Sequence, residues 1–224
     1  MEEKKKQEVK ATLEQKLKAY KKIVEYLKEQ KKKNSAVVLV LFLSISANSQ
    51  ITNAKPENVW IAKEYSKDAA LWNSKDFLFN NVLKIGDSPL KFEVIPLAAA
   101  GSGELTTLIY KSESDGKEGL ILGFYGNYWN SSGVVYLGYK FKNLEKDNAI
   151  AFLDKIQSAI DQHSKYMKSD SNNNNIVFQF EDMKVLIFDS PMGITTRIFW
   201  EGFDSTWEKT AFERSKRRFE KKIK

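Results

Sequence analysis

The chain has 224 residues, no cysteine and a formal net charge of +7 at pH 7. The lack of cysteine excludes disulfide bonds, thiolate metal sites, cysteine nucleophiles and a lipid anchor attached to cysteine. The excess charge belongs to the N-terminal part: residues 1–49 hold 12 Lys and 6 Glu, whereas 24 basic and 23 acidic residues follow from Gln50. A strongly basic domain, the main argument for a nucleic-acid partner, is therefore missing, and we expect no nucleic acid to bind.

Residues 1–34 predict a charged helical extension. Their apolar residues are spaced by three and four positions, as in a heptad seam: Leu13, Leu17, Tyr20, Val24 and Leu27. The repeat is shorter than the three or four heptads that identify a coiled coil. A short coiled coil, a cytoplasmic helix on an uncleaved anchor and a solvated helix without a partner therefore stay open. A start at Leu27 would leave a leader of ordinary length.

Residues 35–49 predict a signal peptide or a short signal anchor. Three lysines at 31–33 precede the apolar run from Ala36 to Leu43, and small residues follow at Ala47 and Ser49. A membrane-spanning helix needs about 20 apolar residues, which makes a stable span the weaker interpretation. A buried strand is the alternative. We expect cleavage after Ala47 or Ser49 and an exported protein, periplasmic, in the outer envelope or secreted, with inner-membrane anchoring as the alternative.

Residues 50–224 predict a single exported α+β domain. The apolar pattern from Asn58 to Leu83 is mixed and helical in part. β-branched and aromatic runs between turn residues predict these strands: Leu90–Ala99, Leu105–Tyr110, Leu120–Tyr128, Val134–Phe141, Ile176–Phe180, Met183–Phe188 and Ile194–Trp200. Helices are predicted over Asp147–Met167 and from the capping pattern Ser205-Thr-Trp-Glu208 almost to Lys224. We expect one antiparallel sheet of about seven strands with helices packed against a face, including the C-terminal helix.

The most suggestive binding cluster lies at the end of the third predicted strand and comprises Tyr125, Asn127, Tyr128, Trp129 and Asn130. Aromatic rings beside amide side chains suit a sugar ring or a peptide, because they offer stacking and hydrogen bonds together. Strand alternation places Tyr125 and Asn127 on one face and Tyr128 on the other. Half of the cluster is therefore expected in the core.

Other patterns offer weaker chemistry. Gly101-Ser-Gly103 precedes strand residues, so a hairpin turn is favoured over a phosphate cradle, which needs a following helix. Ser102 lacks the G-x-S-x-G elbow of a serine hydrolase. His163, the single histidine, lies two residues from Asp161 on a predicted helix, where the two side chains do not face each other. We predict no metal site and no cofactor and assign no catalytic residue.

The basic tail from Arg214 to Lys224 is expected to pack on the sheet and to leave its cations in solvent. The residues that would pack are Phe212, Ser215, Phe219 and Ile223. Cations near a helix C-terminus are stabilised by the helix dipole. An acidic partner surface is the less favoured interpretation.

These features predict an exported bacterial envelope protein whose domain binds a ligand or partner without catalysis. An envelope glycan, a peptide or a protein is the expected ligand, and membrane contact is expected only through residues 35–49 if they stay uncleaved. A carboxylate-dependent hydrolase is one alternative, because 23 acidic residues after Gln50 can always form some pair. A membrane-anchored protein with a cytoplasmic N-terminal helix is the other.

Overall fold

The computed structural model describes residues 59–129 and 135–223, which belong to one compact unit. The predictions for residues 1–34 and 35–49 lie outside the described residues. This part of the chain contains three helices, which are α1 (Lys67–Asn81), α2 (Lys146–Ser169) and α3 (Lys209–Lys222). None of them is both long and apolar enough to span a membrane.

Two antiparallel sheets replace the single sheet of about seven strands, and that part of the fold prediction is wrong. The strands are β1 (Trp60–Ile61), β2 (Phe92–Ala99), β3 (Leu105–Ser112), β4 (Glu118–Trp129), β5 (Val135–Glu145), β6 (Asn175–Phe180), β7 (Met183–Ser190), β8 (Gly193–Trp200) and β9 (Phe203–Glu208). The first sheet has the order β1-β5-β4-β3-β2 and the second the order β6-β7-β8-β9. The α+β class and the antiparallel pairing are confirmed.

β9 occupies the segment for which the capping pattern predicted a helix start. Phe203, Ser205 and Trp207 are buried and alternate with more exposed residues, which is the two-residue period of a strand with one face on the core. The helix begins only at Lys209, and the side chain of Glu208 makes no capping hydrogen bond. Burial of the Trp207 side chain therefore outweighs the local capping preference.

The larger core lies between the sheets and the two later helices. α2 packs against β4, β5, β6 and β7, while α3 packs against β2, β8 and β9. As the sequence predicts, α2 buries the apolar face that contains Ala149, Phe152, Leu153, Ile156 and Ile160, and α3 buries Phe212, Ser215 and Phe219. Glu104, at the start of the hairpin strand β3, ties the sheets together: its backbone oxygen accepts a hydrogen bond from Ser205 Oγ (3.0 Å) and its side chain accepts one from Thr206 N (2.9 Å).

A second core fills the other face of the five-stranded sheet. α1 begins at Ser66, whose Oγ atom accepts a hydrogen bond from Ala69 N. The helix packs against β2, β3, β4 and β5 and buries Phe77 and Leu78 against Tyr110 and other residues of the sheet. Helices therefore cover both faces of the first sheet. Strand β4 meets helix α2 at its end next to the β3–β4 turn, where Lys146 of the helix donates a hydrogen bond to Glu118.

Candidate functional site

The tyrosines of the predicted aromatic cluster lie on opposite faces of β4. Tyr125 packs on Tyr139 with ring centroids 4.8 Å apart, in the core under α1. Tyr128 stacks on Phe203 on the other face, at 5.9 Å and an interplanar angle of 20°. Alternation along the strand correctly predicts this division. The two rings consequently do not form one binding surface.

The remaining members of that cluster stay a prediction. Asn127 is exposed on β4. The side chain of Trp129 and the whole of Asn130 lie outside the described residues. A sugar or peptide site at this end of the strand is therefore neither confirmed nor contradicted.

The residues considered for a nucleophilic triad are separated. Ser102 lies in the β2–β3 turn, where its Oγ atom accepts a hydrogen bond from Glu104 N at 3.3 Å. His163 is exposed on α2, and the nearby Asp161 accepts a hydrogen bond from Gln157 at 2.9 Å. Among the described residues, no hydrogen bond joins the serine, the histidine and the aspartate. In the described residues, these three side chains therefore do not form a hydrogen-bonded catalytic triad.

The glycine-rich turn also has an internal partner. Gly101 N donates to both carboxylate oxygens of Glu208, at 3.2 and 3.1 Å. The turn connects β2 to β3 as a hairpin, as predicted. Its backbone donor therefore binds a side chain of the same chain, which stands where a phosphate would have to be in a phosphate cradle.

A different group of polar residues lines a cleft of about 490 Å³, which we call the Tyr110 cleft. It is formed by Tyr110, Gly116, Lys117, Glu118, Glu145, Lys146, Asp147 and Asn148. These residues come from the end of β3, the β3–β4 turn and the junction of β5 with α2. The volume lies in the range of small-molecule binding sites. The pairing of β3, β4 and β5 therefore brings distant parts of the sequence to one opening.

Gly119 creates the space in which the Tyr110 ring lies. It pairs with Tyr110 on one side and with Glu145 on the other. A Cβ atom at this position would lie 2.8 Å from Tyr110 Cε1, 3.0 Å from the Tyr110 hydroxyl and 2.3 Å from the backbone oxygen of Leu144. These distances are shorter than van der Waals contact, so the position requires glycine. The Tyr110 ring therefore packs directly over the Gly119 backbone, and Tyr110 forms part of the lining of the cleft.

The Tyr110 hydroxyl is buried without a hydrogen-bond partner among the described residues. The residue is 1% exposed, and burial raises the pKa of Tyr110 to about 12, so the hydroxyl stays protonated at neutral pH. The neighbouring Asn143 side chain opposes part of this shift, and its Oδ1 atom is also buried without a hydrogen-bond partner among the described residues. A buried polar group without a partner costs about 1–3 kcal/mol. Buried polar groups of this kind commonly bind an ordered water, an ion or a ligand.

The rim of the cleft carries both signs of charge. Glu118 accepts a hydrogen bond from Lys146 at 2.5 Å and lies 3.5 Å from Lys111. The hydrogen bond from Lys146 lowers the pKa of Glu118, with Lys111 adding to the effect against the opposing influence of burial. Glu118 is therefore an ionised hydrogen-bond acceptor. Glu145 and Asp147 are exposed at the same rim and form no ion pair with any described residue.

The sequence predictions missed this cleft because each of its residues has an ordinary local role. Tyr110 is predicted simply as the last residue of a strand, and Asp147 as the start of a helix. One signal was present: Tyr110 on β3 and Gly119 on β4 flank a short turn, so the hairpin pairs a large ring with a residue that has no side chain. Such a pair predicts a close approach of the ring to the backbone.

Comparison of the chain with protein families, curated proteins and solved structures gives no match.

Proposed function

We propose that the domain beginning near Gln50 is a non-catalytic binding domain of an exported envelope protein, and that it takes an uncharged saccharide in the Tyr110 cleft. The unpaired Tyr110 hydroxyl carries this proposal. A ligand oxygen would satisfy the hydroxyl and remove the cost of its burial in the free protein.

The hydrogen-bonding groups in the cleft favour a saccharide. Tyr110 can donate, because its hydroxyl stays protonated far above neutral pH. The carboxylates of Glu118, Glu145 and Asp147, which line the cleft, accept hydrogen bonds. A sugar hydroxyl both donates and accepts, so one ring can pair with the tyrosine and with several acceptors. An N-acetylated sugar adds an amide N–H and a carbonyl, which match the same two kinds of group.

A carboxylate-dependent hydrolase is the second candidate, because three carboxylates line one cleft. Glycoside hydrolysis needs one carboxyl that is protonated at the working pH and one that is ionised. The lowered pKa of Glu118 suits the ionised role only. Binding without cleavage is therefore the better supported of the two.

Titration of the full chain with N-acetylglucosamine and its short oligomers tests the proposal. Calorimetry should show saturable binding, and the amide signals of Gly116 to Glu118 and of Glu145 to Asn148 should shift in NMR spectra. The oligomers should be recovered intact. Shifts confined to residues 125–129 would place the site at the aromatic cluster, release of shortened sugars would support the hydrolase, and no binding by any oligomer would reject the saccharide.

The proposed export rests on residues 35–49 and has its own test. Sequencing of the N-terminus of the protein from its native cells should give a start at Asn48 or Gln50. An intact N-terminus in membrane fractions would support the anchored alternative. Met1 in a soluble cytoplasmic fraction would contradict export, while leaving the saccharide site open.

A further inference from the structure

The surface of α3 is divided into three faces with different roles. One face is apolar and packs into the core. A second face is electrically balanced by ion pairs: Lys209 with Glu213 (3.7 Å), and Lys216 with both Glu220 (2.6 Å) and Asp154 (2.5 Å). Both acidic residues of the helix are thereby paired with lysines on this second face.

The third face carries cations alone, and we call it the basic stripe. Its members are Arg214, Arg217, Arg218, Lys221 and Lys222, which follow one another at helical spacings of three and four. All five are exposed. In the part of the chain that the structure describes, none of them forms an ion pair with a carboxylate. With a rise of 1.5 Å per residue, the stripe is about 12 Å long.

The choice of arginine on this stripe distinguishes it from the rest of the surface. The chain contains 36 basic residues, of which only four are arginines, and three of the four are Arg214, Arg217 and Arg218. Lysine occupies nearly every other cationic position of the chain, and it hydrates a protein surface as well as arginine does. Arginine presents a rigid planar fork that binds phosphate and carboxylate oxygens in pairs. Its concentration on one helix face therefore points to an oxyanion partner.

A groove runs beside the basic stripe, and Arg218 of the stripe is hydrogen-bonded to the backbone of its wall. About 540 Å³ in volume, it is lined by Pro96, Leu97, Arg218, Lys221 and Lys222. β2 has a register irregularity between Pro96 and Ala98, and the backbone oxygen of Leu97 accepts a hydrogen bond from Arg218. This bond uses one guanidinium nitrogen. The remaining N–H groups of Arg218 bond to no described residue and can donate to an oxyanion at the mouth of the groove.

We propose that the basic stripe docks the domain on an anionic phospholipid membrane by binding lipid phosphates. The charge is local, because residues 59–223 contain 22 basic and 22 acidic side chains. A domain that is neutral apart from the basic stripe lacks the broad positive field that attracts nucleic acid. The groove residues include no aromatic ring on which a base could stack. A flat sheet of lipid phosphates, in contrast, can meet all five cations of a convex helix together.

This contact would be additional to the one expected at residues 35–49, and it is independent of the saccharide site. Basic residues near an anionic membrane contribute additively at low salt, so neutralising three of them should weaken binding on the order of 100-fold. High salt should reduce binding in the same direction, because it screens exposed charges.

Vesicle sedimentation with the full chain tests the proposal. The probes are vesicles of phosphatidylglycerol mixed with phosphatidylcholine, vesicles of phosphatidylcholine alone, inorganic phosphate and double-stranded DNA. The stripe variant is R214Q/R217Q/K221Q, which leaves the Arg218 bond intact. The charge-matched control is K165Q/K168Q/K184Q, whose lysines are exposed and form no ion pair in the described residues.

Residues 1–58 contribute equally in both variants, so the difference between them reports on the stripe. The proposal predicts that the stripe variant loses most binding to phosphatidylglycerol vesicles while the control binds like the original chain, with unchanged thermal unfolding in both. Equal binding by the two variants would overturn it. Tighter binding of DNA than of vesicles at the same salt concentration would also overturn it. So would the release of all bound protein by inorganic phosphate while the vesicle lipid is in saturating excess over the protein.

Discussion

Thr107 Oγ1 and Ser215 Oγ lie 2.7 Å apart in the buried contact between β3 and α3. Thr107 Oγ1 accepts a hydrogen bond from Ala98 N and lies 3.0 Å from the backbone oxygen of Ala98, and Ser215 Oγ lies 2.8 Å from the backbone oxygen of Ala211. Each hydroxyl has one proton, so one of the two donates to the other, which in turn donates to its own backbone oxygen. Two hydroxyls thus connect the irregular edge strand β2 to the C-terminal helix. The helix that carries the basic stripe is held in one register by this connection.

Replacing Ser215 with alanine should destabilise the domain. The change removes the partner of a buried threonine hydroxyl and should cost about 1–2 kcal/mol in the free energy of unfolding. Urea denaturation measures it, with Ser102→Ala as the control because the Ser102 side chain is exposed in a turn. A loss no greater than that of the control would show that the hydroxyl pair adds nothing to stability.

Replacing Gly119 with alanine should be more damaging than an ordinary glycine substitution. The added Cβ atom would meet the Leu144 backbone oxygen at 2.3 Å and the Tyr110 ring at 2.8 Å. Relief of this overlap must move a strand or the buried ring, at a cost of about 1–3 kcal/mol or more. Gly86→Ala is the matched control, because no atom lies within 4 Å of its added Cβ. Equal thermal stability of both variants would contradict the close approach.

High pH should destabilise the domain partly through Tyr110. Burial raises the pKa of Tyr110 from 10.0 to about 12, so the folded state holds a proton that the unfolded state loses first. The contribution of this proton to the free energy of unfolding is fully present below pH 10. Roughly 2–3 kcal/mol of that free energy is lost as the pH rises to 12. Tyr110→Phe should flatten that part of the stability curve. The curves of the two proteins would run parallel if the hydroxyl were not desolvated.

Burial raises the pKa values of Tyr125 and Tyr139 as well. Both tyrosines are present in the original chain and in the Tyr110→Phe variant. Their alkaline titration therefore cancels when the two curves are compared, and the difference isolates Tyr110.

Local periodicity predicted most of the elements, because burial on one face imposes its period on the sequence. The helix around Phe152 and Ile156 and the seven expected strands are confirmed for this reason. The division into two sheets was not predictable in the same way, because it depends on whether β5 and β6, which helix α2 separates in the sequence, pair with each other. β1 has only two residues, Trp60 and Ile61, and is too short to show alternation.

The C-terminal capping pattern shows how a local signal can be overruled. Ser205 and Glu208 have the residue types and spacing of a capping box. In the fold Ser205 is buried and donates to the backbone oxygen of Glu104, which precedes β3, and the Glu208 carboxylate accepts from the single backbone N–H of Gly101 in the β2–β3 turn. Both side chains therefore serve contacts between the sheets, which no short window of sequence can reveal.

The candidate site differs from the predicted one for a related reason. The aromatic cluster at residues 125–130 is contiguous in sequence, and that contiguity drew attention to it. Tyr110, Asn143 and Asp147 meet only after β3, β4 and β5 have paired. That the Tyr110 hydroxyl has no hydrogen-bond partner among the described residues is also a property of the folded chain, so it could not be deduced from composition or spacing.

The Tyr110→Phe variant tests the binding proposal most directly, when its affinity for an N-acetylglucosamine oligomer and its free energy of unfolding are measured together. Tyr139→Phe is the matched control, because the Tyr139 hydroxyl bonds to Ser66 N at 2.7 Å and to Ser66 O at 2.9 Å. Removal of the unpaired Tyr110 hydroxyl should keep or increase stability and weaken binding about tenfold. The control should bind normally and lose about 1–3 kcal/mol of stability. Unchanged sugar affinity in Tyr110→Phe, or a stability loss as large as that of Tyr139→Phe, would contradict the proposed role of the Tyr110 cleft.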